Sequence, residues 1–217
     1  MKRLLLITLT LGITVAIHAQ KMKFSVEASP QFAWLSSDED NVTPSGSILN
    51  FRTGIEMDLF FAENYAFTLG FGVNNMGGNI LYSDSTYFIS NSDSVIALPG
   101  QILKHKLRYI DIPLGLKLKT EELGYKTFFI QLGFNPMINL SAIAISEDGQ
   151  FDKENISEDT NLFSLCYNVG AGVEYRLGGS TALIGGIRWT SGLNDVTGSD
   201  MAKITLNSIS IHLGILF

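Results

Sequence analysis

Apolar and polar residues alternate with a period of two along most of this chain, and helical spacing is rare. Such alternation is typical of β-strands whose two faces meet different surroundings. In one run, for example, Phe51, Ile55 and Leu59 fall on one face, while Arg52 and Glu56 fall on the other. The pattern predicts eight strands, over residues 22–35, 48–61, 65–75, 104–119, 126–145, 162–177, 181–193 and 208–217.

The lengths of these strands and of their connections favour a membrane barrel. A tilted strand crosses a bilayer with roughly 9–11 residues, whereas strands of soluble proteins typically have about 5–6. Outer-membrane barrels combine tight periplasmic turns with longer outer loops. We therefore predict an all-β, eight-stranded antiparallel up-and-down transmembrane barrel with both termini in the periplasm. Its short connections are 62–64, 120–125 and 178–180, and its long ones are 36–47, 77–103, 146–161 and 194–203.

The alternative is a soluble, lipocalin-like barrel with an apolar interior and a polar exterior. Charged residues make up 17% of the chain, below the roughly 25% of soluble domains. The polar face is rich in Gly and Ser, whereas a water-facing surface would carry about 25–35% charged residues. We therefore expect the apolar face to contact lipid and the polar face to line the lumen.

The predicted lumen contains charged side chains, although an eight-stranded barrel is narrow enough for side chains to fill it. Buried charges are tolerated when they are paired, and arginine can bind neighbouring carboxylates through its fork of donors. We expect a salt-bridge network, with an ion path as the alternative role of the same residues. The predicted members are Glu27, Arg52, Glu56, Asp58, Asp111, Lys117, Glu174, Arg176 and Arg188.

The first residues have the pattern of a secretory signal peptide. Lys2 and Arg3 precede an apolar run over residues 4–17, which is shorter than the roughly 20 apolar residues of a spanning helix. A small residue, Ala19, then precedes Gln20, as at a signal cleavage site. The expected organisation is a cleaved signal peptide over 1–19 and a barrel domain over 20–217.

The last predicted strand places Ile211, Leu213, Ile215 and Phe217 on one apolar face. Chain ends are normally poorly ordered unless they are tied down, so an aromatic final residue on an apolar face is unusual. The pattern resembles the C-terminal signal that bacterial barrel-assembly machinery recognises. This resemblance implies that the assembly machinery is a partner during biogenesis.

Composition excludes several other classes of function. The formal net charge is −6 without a basic block, which argues against nucleic acid as a partner. Cys166 is the single cysteine, so it cannot form an intramolecular disulfide, and we expect it to pack inside the lumen. We predict no cofactor, no metal site and no catalytic residue.

The fourth strand contains a run, LRYIDIPLGLK over residues 107–117, that resembles the "Y-[LI]-[ED]-[IV]-P-L" strand of the PorT-like outer-membrane barrels of Bacteroidetes. Gln20 directly after Ala19 is also similar to exported proteins of that phylum. The resemblance implies an eight-stranded barrel in the outer membrane of a Gram-negative cell. It implies no catalytic residues, and PorT itself is linked to protein secretion.

Three classes of function fit such a barrel. They are a non-enzymatic structural or binding protein at the cell surface, an enzyme that modifies acyl chains of lipid A or phospholipid, and a narrow channel. An acyl hydrolase needs a nucleophile beside a base, and His105 could meet Ser83, Ser90 or Asp93. Ser210 and His212 are separated by about 7 Å on a strand, beyond hydrogen-bond reach. We expect the non-enzymatic class.

The long connection 77–103 is the strongest candidate for a protein-binding surface, because loops longer than about 15 residues are usually functional or disordered. The acidic connection 146–161 is either a solvated loop or a site where divalent cations bridge to lipopolysaccharide phosphates. The expected partners are therefore outer-membrane lipid, lipopolysaccharide, and a protein bound at 77–103.

Overall fold

The alternating segments form β-strands in the computed structural model, which describes residues 21–90, 93–146, 153–198 and 202–217. The predicted signal peptide, with Ala19 and Gln20, lies outside the described residues. The strands are Lys21–Ser37 (β1), Val42–Gly46 (β2), Ile48–Ala62 (β3), Tyr65–Tyr82 (β4), Thr86–Ser90 (β5), Asp93–Ala97 (β6), Gln101–Asp111 (β7), Leu114–Lys119 (β8), Lys126–Ser146 (β9), Glu154–Asn155 (β10), Phe163–Gly178 (β11), Thr181–Gly192 (β12) and Ile204–Leu216 (β13).

Antiparallel pairing closes the long strands into a barrel. Around the ring, β1 pairs with β3 and β3 pairs with β4. The next position is shared by β7 and β8, and β9, β11, β12 and β13 follow in that order. The ring closes where β13 pairs with β1, with Val26 opposite Ile215 and Phe32 opposite Ile209. Both β7 and β8 lie between β4 and β9, one after the other along the same line, so together they count as one strand of the ring. The described part of the chain therefore confirms the predicted eight-stranded ring.

The break between β7 and β8 falls at Ile112 and Pro113. Proline has no backbone N–H and cannot donate to a ladder. The neighbouring strands still bind this segment, because Ile112 donates to the Pro136 carbonyl (3.0 Å) and the Pro113 carbonyl accepts from Gly70 (2.8 Å). The wall therefore stays closed across the break.

The apolar face of the ring points outward and the polar face points inward. Val26 and Ile55, on neighbouring strands, are 55% and 56% exposed, whereas Glu27 and Glu56 beside them are buried. Closure satisfies the backbone hydrogen bonds of the wall, as a sheet in lipid requires. This orientation excludes the lipocalin-like alternative.

The prediction of a long loop over 77–103 was wrong at both of its ends. β4 continues to Tyr82 and β7 begins at Gln101, so the barrel wall extends beyond the predicted strand end. The alternation is interrupted at Gly77 and Gly78, where side chains are absent, but backbone pairing continues through Gly77 opposite Lys106. The tip of the connection is a separate hairpin of β5 and β6.

The two ends of the barrel differ in their connections. The end with Lys21 and Leu216, here called the terminus end, carries the short turns, and the opposite end, here called the loop end, carries the long connections. The connection after β1 contains β2, which extends the wall by pairing with β4. In the described ranges the sole helix is one turn, Ser157–Asp159, and no helix is long and apolar enough to cross a membrane.

The outward orientation predicts how arginine is tolerated on the apolar face. Ile55 lies at the middle of β3, and Ile55→Arg should lower the free energy of unfolding in lipid vesicles by about 2–4 kcal/mol, because it places a charge in hydrocarbon. Leu177→Arg, near the terminus-end rim, is the matched control, with an expected loss of about 0–1 kcal/mol. Urea unfolding of the two refolded variants tests this. Equal losses would contradict the assignment of the outer face to lipid.

Candidate functional site

The lumen contains a charge cluster centred on Arg52, which projects inward from β3. Its guanidinium binds three carboxylates at once: Nε lies 2.9 Å from Asp111 Oδ2, Nη1 lies 3.0 Å from Glu27 Oε2, and Nη2 lies 3.5 Å from Glu56 Oε1. The arginine and all three acids are buried. One planar fork therefore joins β1, β3 and β7.

Arg188 on β12 extends this cluster across the lumen. Its Nη2 lies 3.1 Å from Glu56 Oε1 and 3.3 Å from Gln131 Oε1. Gln131 in turn donates to Glu56 Oε2 at 3.3 Å. Glu56 is consequently shared by two arginines and one amide, which is the multiple pairing that a buried charge needs.

Two ion pairs, each between a lysine and a carboxylate, lie on the terminus-end side of this cluster. Lys117 Nζ is 2.7 Å from Asp58 Oδ2, and the other oxygen of Asp58 accepts from Thr68 at 2.9 Å. Lys119 forms an ion pair with Glu174. The two lysines are two residues apart on β8, so both point into the lumen.

The structure places eight of the nine predicted charges inside the barrel, and the prediction for Arg176 was wrong. Arg176 lies at the terminus-end rim, where its side chain is 50% exposed and pairs with Glu122. The residue that sequence reasoning missed is Lys119. Alternation from Lys117 would have placed Lys119 in the lumen, but the pattern does not indicate where a strand leaves the barrel.

Facing glycines give these long side chains room. Gly54 opposes Gly72, Gly115 opposes Gly133, and Gly172 opposes Gly186. A Cβ at Gly72 would lie 2.8 Å from Asp111 Oδ1 and 2.6 Å from the Thr53 carbonyl oxygen. Both distances are shorter than van der Waals contact, so the network requires glycine at this position.

Above the charges, toward the loop end, the interior becomes apolar. Met76, Tyr109 and Met137 are fully buried just beyond Asp111 and lead into a cluster that reaches the loops. Cys166 belongs to this cluster. Asn74 marks the boundary, with its Nδ2 3.9 Å from Met137 Sδ on one side and its Oδ1 2.7 Å from the Gln31 amide on the other. This apolar plug was not predicted.

The β5–β6 hairpin closes the apolar plug at the loop end. Phe88 packs edge-on against Tyr82, with ring centroids 5.5 Å apart, and also contacts His105. His105 lies beyond the apolar outer band, and burial lowers the pKa of its imidazole to about 4. A cavity of about 780 Å³ adjoins the hairpin and is lined by the carboxylates of Glu39, Asp84, Glu158 and Asp159.

In the described residues, His105 and His212 each have a contact other than the serine considered for an acyl hydrolase. His105 Nε2 lies 3.1 Å from Tyr82 Oη, and Ser83 is exposed. The side chains of Ser90 and Asp93 lie outside the described residues. His212 Nε2 lies 3.2 Å from Glu27 Oε1, while Ser210 donates to the Arg188 carbonyl.

The remaining predicted sites lie on the outer face or beyond the described ranges. The proposed assembly-signal side chains of Ile211, Leu213, Ile215 and Phe217 are all exposed on the outer face of the last strand. The acidic connection 146–161 is described except for residues 147–152. No group of three or more His, Cys, Asp or Glu side chains that could hold a metal ion occurs among the described residues.

A closed antiparallel ring with an apolar exterior and an ion-paired interior defines the class of outer-membrane β-barrels. The chain belongs to the family described as Outer membrane protein beta-barrel domain, which it matches over residues 2–198. This membership places the protein in the outer membrane. No curated protein matches the chain.

Three solved structures similar to this fold illustrate the likeness. Neisserial surface protein A is 13% identical, and the alignment covers 89% of this chain and 95% of that protein with a TM-score of 0.50. OprG from Pseudomonas aeruginosa is 12% identical, with 91% and 97% covered and a TM-score of 0.46. Ail of Yersinia pestis is 11% identical, with 91% and 99% covered and a TM-score of 0.45. Such identities bear on the fold alone.

The charge cluster predicts a large difference between two arginine variants. Arg188→Gln removes a buried partner of Glu56 and should lower the free energy of unfolding by about 3–5 kcal/mol. Arg176→Gln, the matched control, breaks an exposed pair and should cost about 0–1 kcal/mol. Urea unfolding of refolded protein in vesicles, followed by tryptophan fluorescence, measures both. Indistinguishable midpoints would contradict a stabilising role for the cluster.

Proposed function

We propose that this protein is a non-enzymatic structural and binding protein of the outer membrane, with its binding surface at the loop end outside the cell. The observation that carries the proposal is the filled interior. Paired charges occupy the lumen around Arg52, and the apolar plug around Met76 and Met137 occupies the lumen above them. Because the interior is used for packing, interaction is left to the exposed loop end.

The proposed orientation places both termini in the periplasm. The turn between β11 and β12, at Gly179 and Ser180, is short, and so is the turn between β3 and β4 at Glu63 and Asn64. Bacterial outer-membrane barrels have short periplasmic turns and longer outer loops. The terminus end is therefore assigned to the periplasm, where the last strand, with Phe217, would meet the barrel-assembly machinery.

The hairpin at the loop end offers the features of a protein-binding surface. Tyr87 and Ile96 oppose each other on β5 and β6 and are 64% and 42% exposed. Tyr87 also lines the acidic cavity. Exposed aromatic residues are enriched at binding hot spots, and the neighbouring carboxylates favour a partner with a basic surface.

A role in support of protein secretion is part of this proposal. It rests on the resemblance of residues 107–117 to the PorT-like strand, and Pro113 in that run produces the break between β7 and β8. The partner expected under this proposal is a component of a secretion apparatus that contacts the loop end.

A narrow channel and an acyl-modifying enzyme remain the alternatives, and each has its own readout. A channel would require the apolar plug to move, which single-channel conductance of the refolded protein in a planar bilayer would reveal. An acyl-modifying enzyme would change the mass of lipid A when the protein is expressed, and His105→Ala would abolish that change.

The binding surface is tested by removing its exposed pair without disturbing Phe88. Tyr87→Ser with Ile96→Ser should weaken binding of the partner by about thirtyfold or more, measured as cross-linked partner recovered from intact cells, because aromatic hot-spot truncation typically costs about 2 kcal/mol or more. The matched control is Leu123→Ser with Tyr125→Ser, an exposed apolar pair at the terminus end. Heat-modifiable gel mobility confirms folding of both proteins. Undiminished recovery with the hairpin variant would contradict the proposed surface.

A further inference from the structure

The outer wall of the barrel opens locally between β3 and β4. The ladder joining these strands runs only as far as Arg52 opposite Asn74, and β2 takes over as the partner of β4 at Gly46 opposite Asn79. Asn75 bridges the opening by donating from Nδ2 to the Phe51 carbonyl at 2.9 Å. The splayed strands leave a groove of about 600 Å³ on the outside of the wall.

The two flanks of this groove differ in chemistry. One flank is apolar, with Leu49 70% exposed and Phe51 45% exposed. The other flank is basic, with Lys106 and Arg108 exposed on β7. Asn75 Oδ1 accepts from Arg108 Nε at 3.1 Å, so one of the five N–H donors of the guanidinium is used within the protein.

These cations are not neutralised by the described parts of the protein. No carboxylate of the described residues lies within ion-pair distance of Lys104, Lys106 or Arg108. The three alternate with inward-facing His105 and Leu107, so they form one outward basic row. In a chain with a net charge of −6, such a row is a local exception.

The basic row lies directly beyond the lipid-facing band. Asn75, Arg108 and Ser141 are neighbours in register across β4, β7 and β9, and they form a polar line on the outer face. On the terminus-end side of this line, Val73 and Ile138 continue the apolar band. The cations therefore face the layer in which lipid headgroups lie.

We infer that the groove binds the phosphate of a lipid headgroup in the leaflet at the loop end. Lys106 supplies a point charge and Arg108 supplies a fork of donors, which suits a phosphomonoester. Leu49 and Phe51 cover the adjoining apolar part of the same lipid. The site opens sideways toward the bilayer, which selects a membrane lipid over a soluble anion. The assignment to the outer leaflet rests on the orientation in the proposed function.

Native mass spectrometry of the refolded protein in detergent tests this inference, with diphosphoryl lipid A as the probe. Each basic residue near an anionic lipid surface contributes about fivefold in affinity. Lys106→Gln with Arg108→Gln should therefore weaken binding about thirtyfold, and Lys106→Gln alone, which leaves the bond between Arg108 and Asn75 intact, about fivefold. Lys21→Gln with Lys23→Gln is the control, with the same charge change at the terminus end and unchanged binding.

Two further arms separate the source of the phosphate. Lipid A stripped of both phosphates should bind the wild type as weakly as the double variant binds the diphosphoryl form, and millimolar inorganic phosphate should not displace bound lipid A. The inference is overturned if the double variant binds like wild type, if dephosphorylated lipid A binds equally well, or if inorganic phosphate displaces the lipid.

The orientation is tested separately, so the two failures can be told apart. Ser85 is exposed, and in the Ser85→Cys variant the new thiol should react in intact cells with a reagent that does not cross the outer membrane, while buried Cys166 stays unlabelled. Labelling only after the outer membrane is opened would overturn the proposed orientation. Lipid binding measured in detergent would still stand or fall on its own result.

Discussion

The structure depends on the constraint that a sheet in lipid must satisfy its own backbone hydrogen bonds. Closure of β13 onto β1 meets this constraint, but it also turns the polar face into a lumen too narrow for bulk water. The charges on that face must then pair with one another. Arg52, which binds Glu27, Glu56 and Asp111, is the point where this requirement is met most directly.

The facing glycines and the apolar plug follow from the same constraint. Long charged side chains can meet at the centre of a narrow barrel only where the opposite wall is bare, as at Gly72 beside Asp111. Toward the loop end the wall continues past the charges, and Met76, Tyr109 and Met137 pack inside it. The barrel thus has a charged lumen toward the terminus end and an apolar, protein-like core toward the loop end.

Alternation predicted most of the fold, because a period of two reports directly which side of a wall a residue occupies. It placed Glu27, Arg52 and Glu56 inside, where the structure brings them together. It could not predict that Arg176 leaves the lumen and Lys119 stays, because strand tilt and turn geometry decide which residue reaches the rim. The extension of β4 beyond Gly77 was not predicted, because a glycine has no side chain to show which face of a strand it occupies. Contacts between distant strands, such as the ion pair of Arg188 with Glu56, depend on the order and register of the strands around the ring, which alternation alone does not give.

The central claim is that the apolar face touches lipid while the interior is dry and packed. It is tested by single-tryptophan variants in which Trp34 and Trp189 are replaced by Phe and one tryptophan is placed at Ile55 or at Tyr109. In vesicles whose acyl chains carry bromine near the bilayer centre, the account predicts strong quenching of the fluorescence at position 55 and little at position 109. Quenching at position 109, with position 55 instead accessible to aqueous acrylamide, would contradict it.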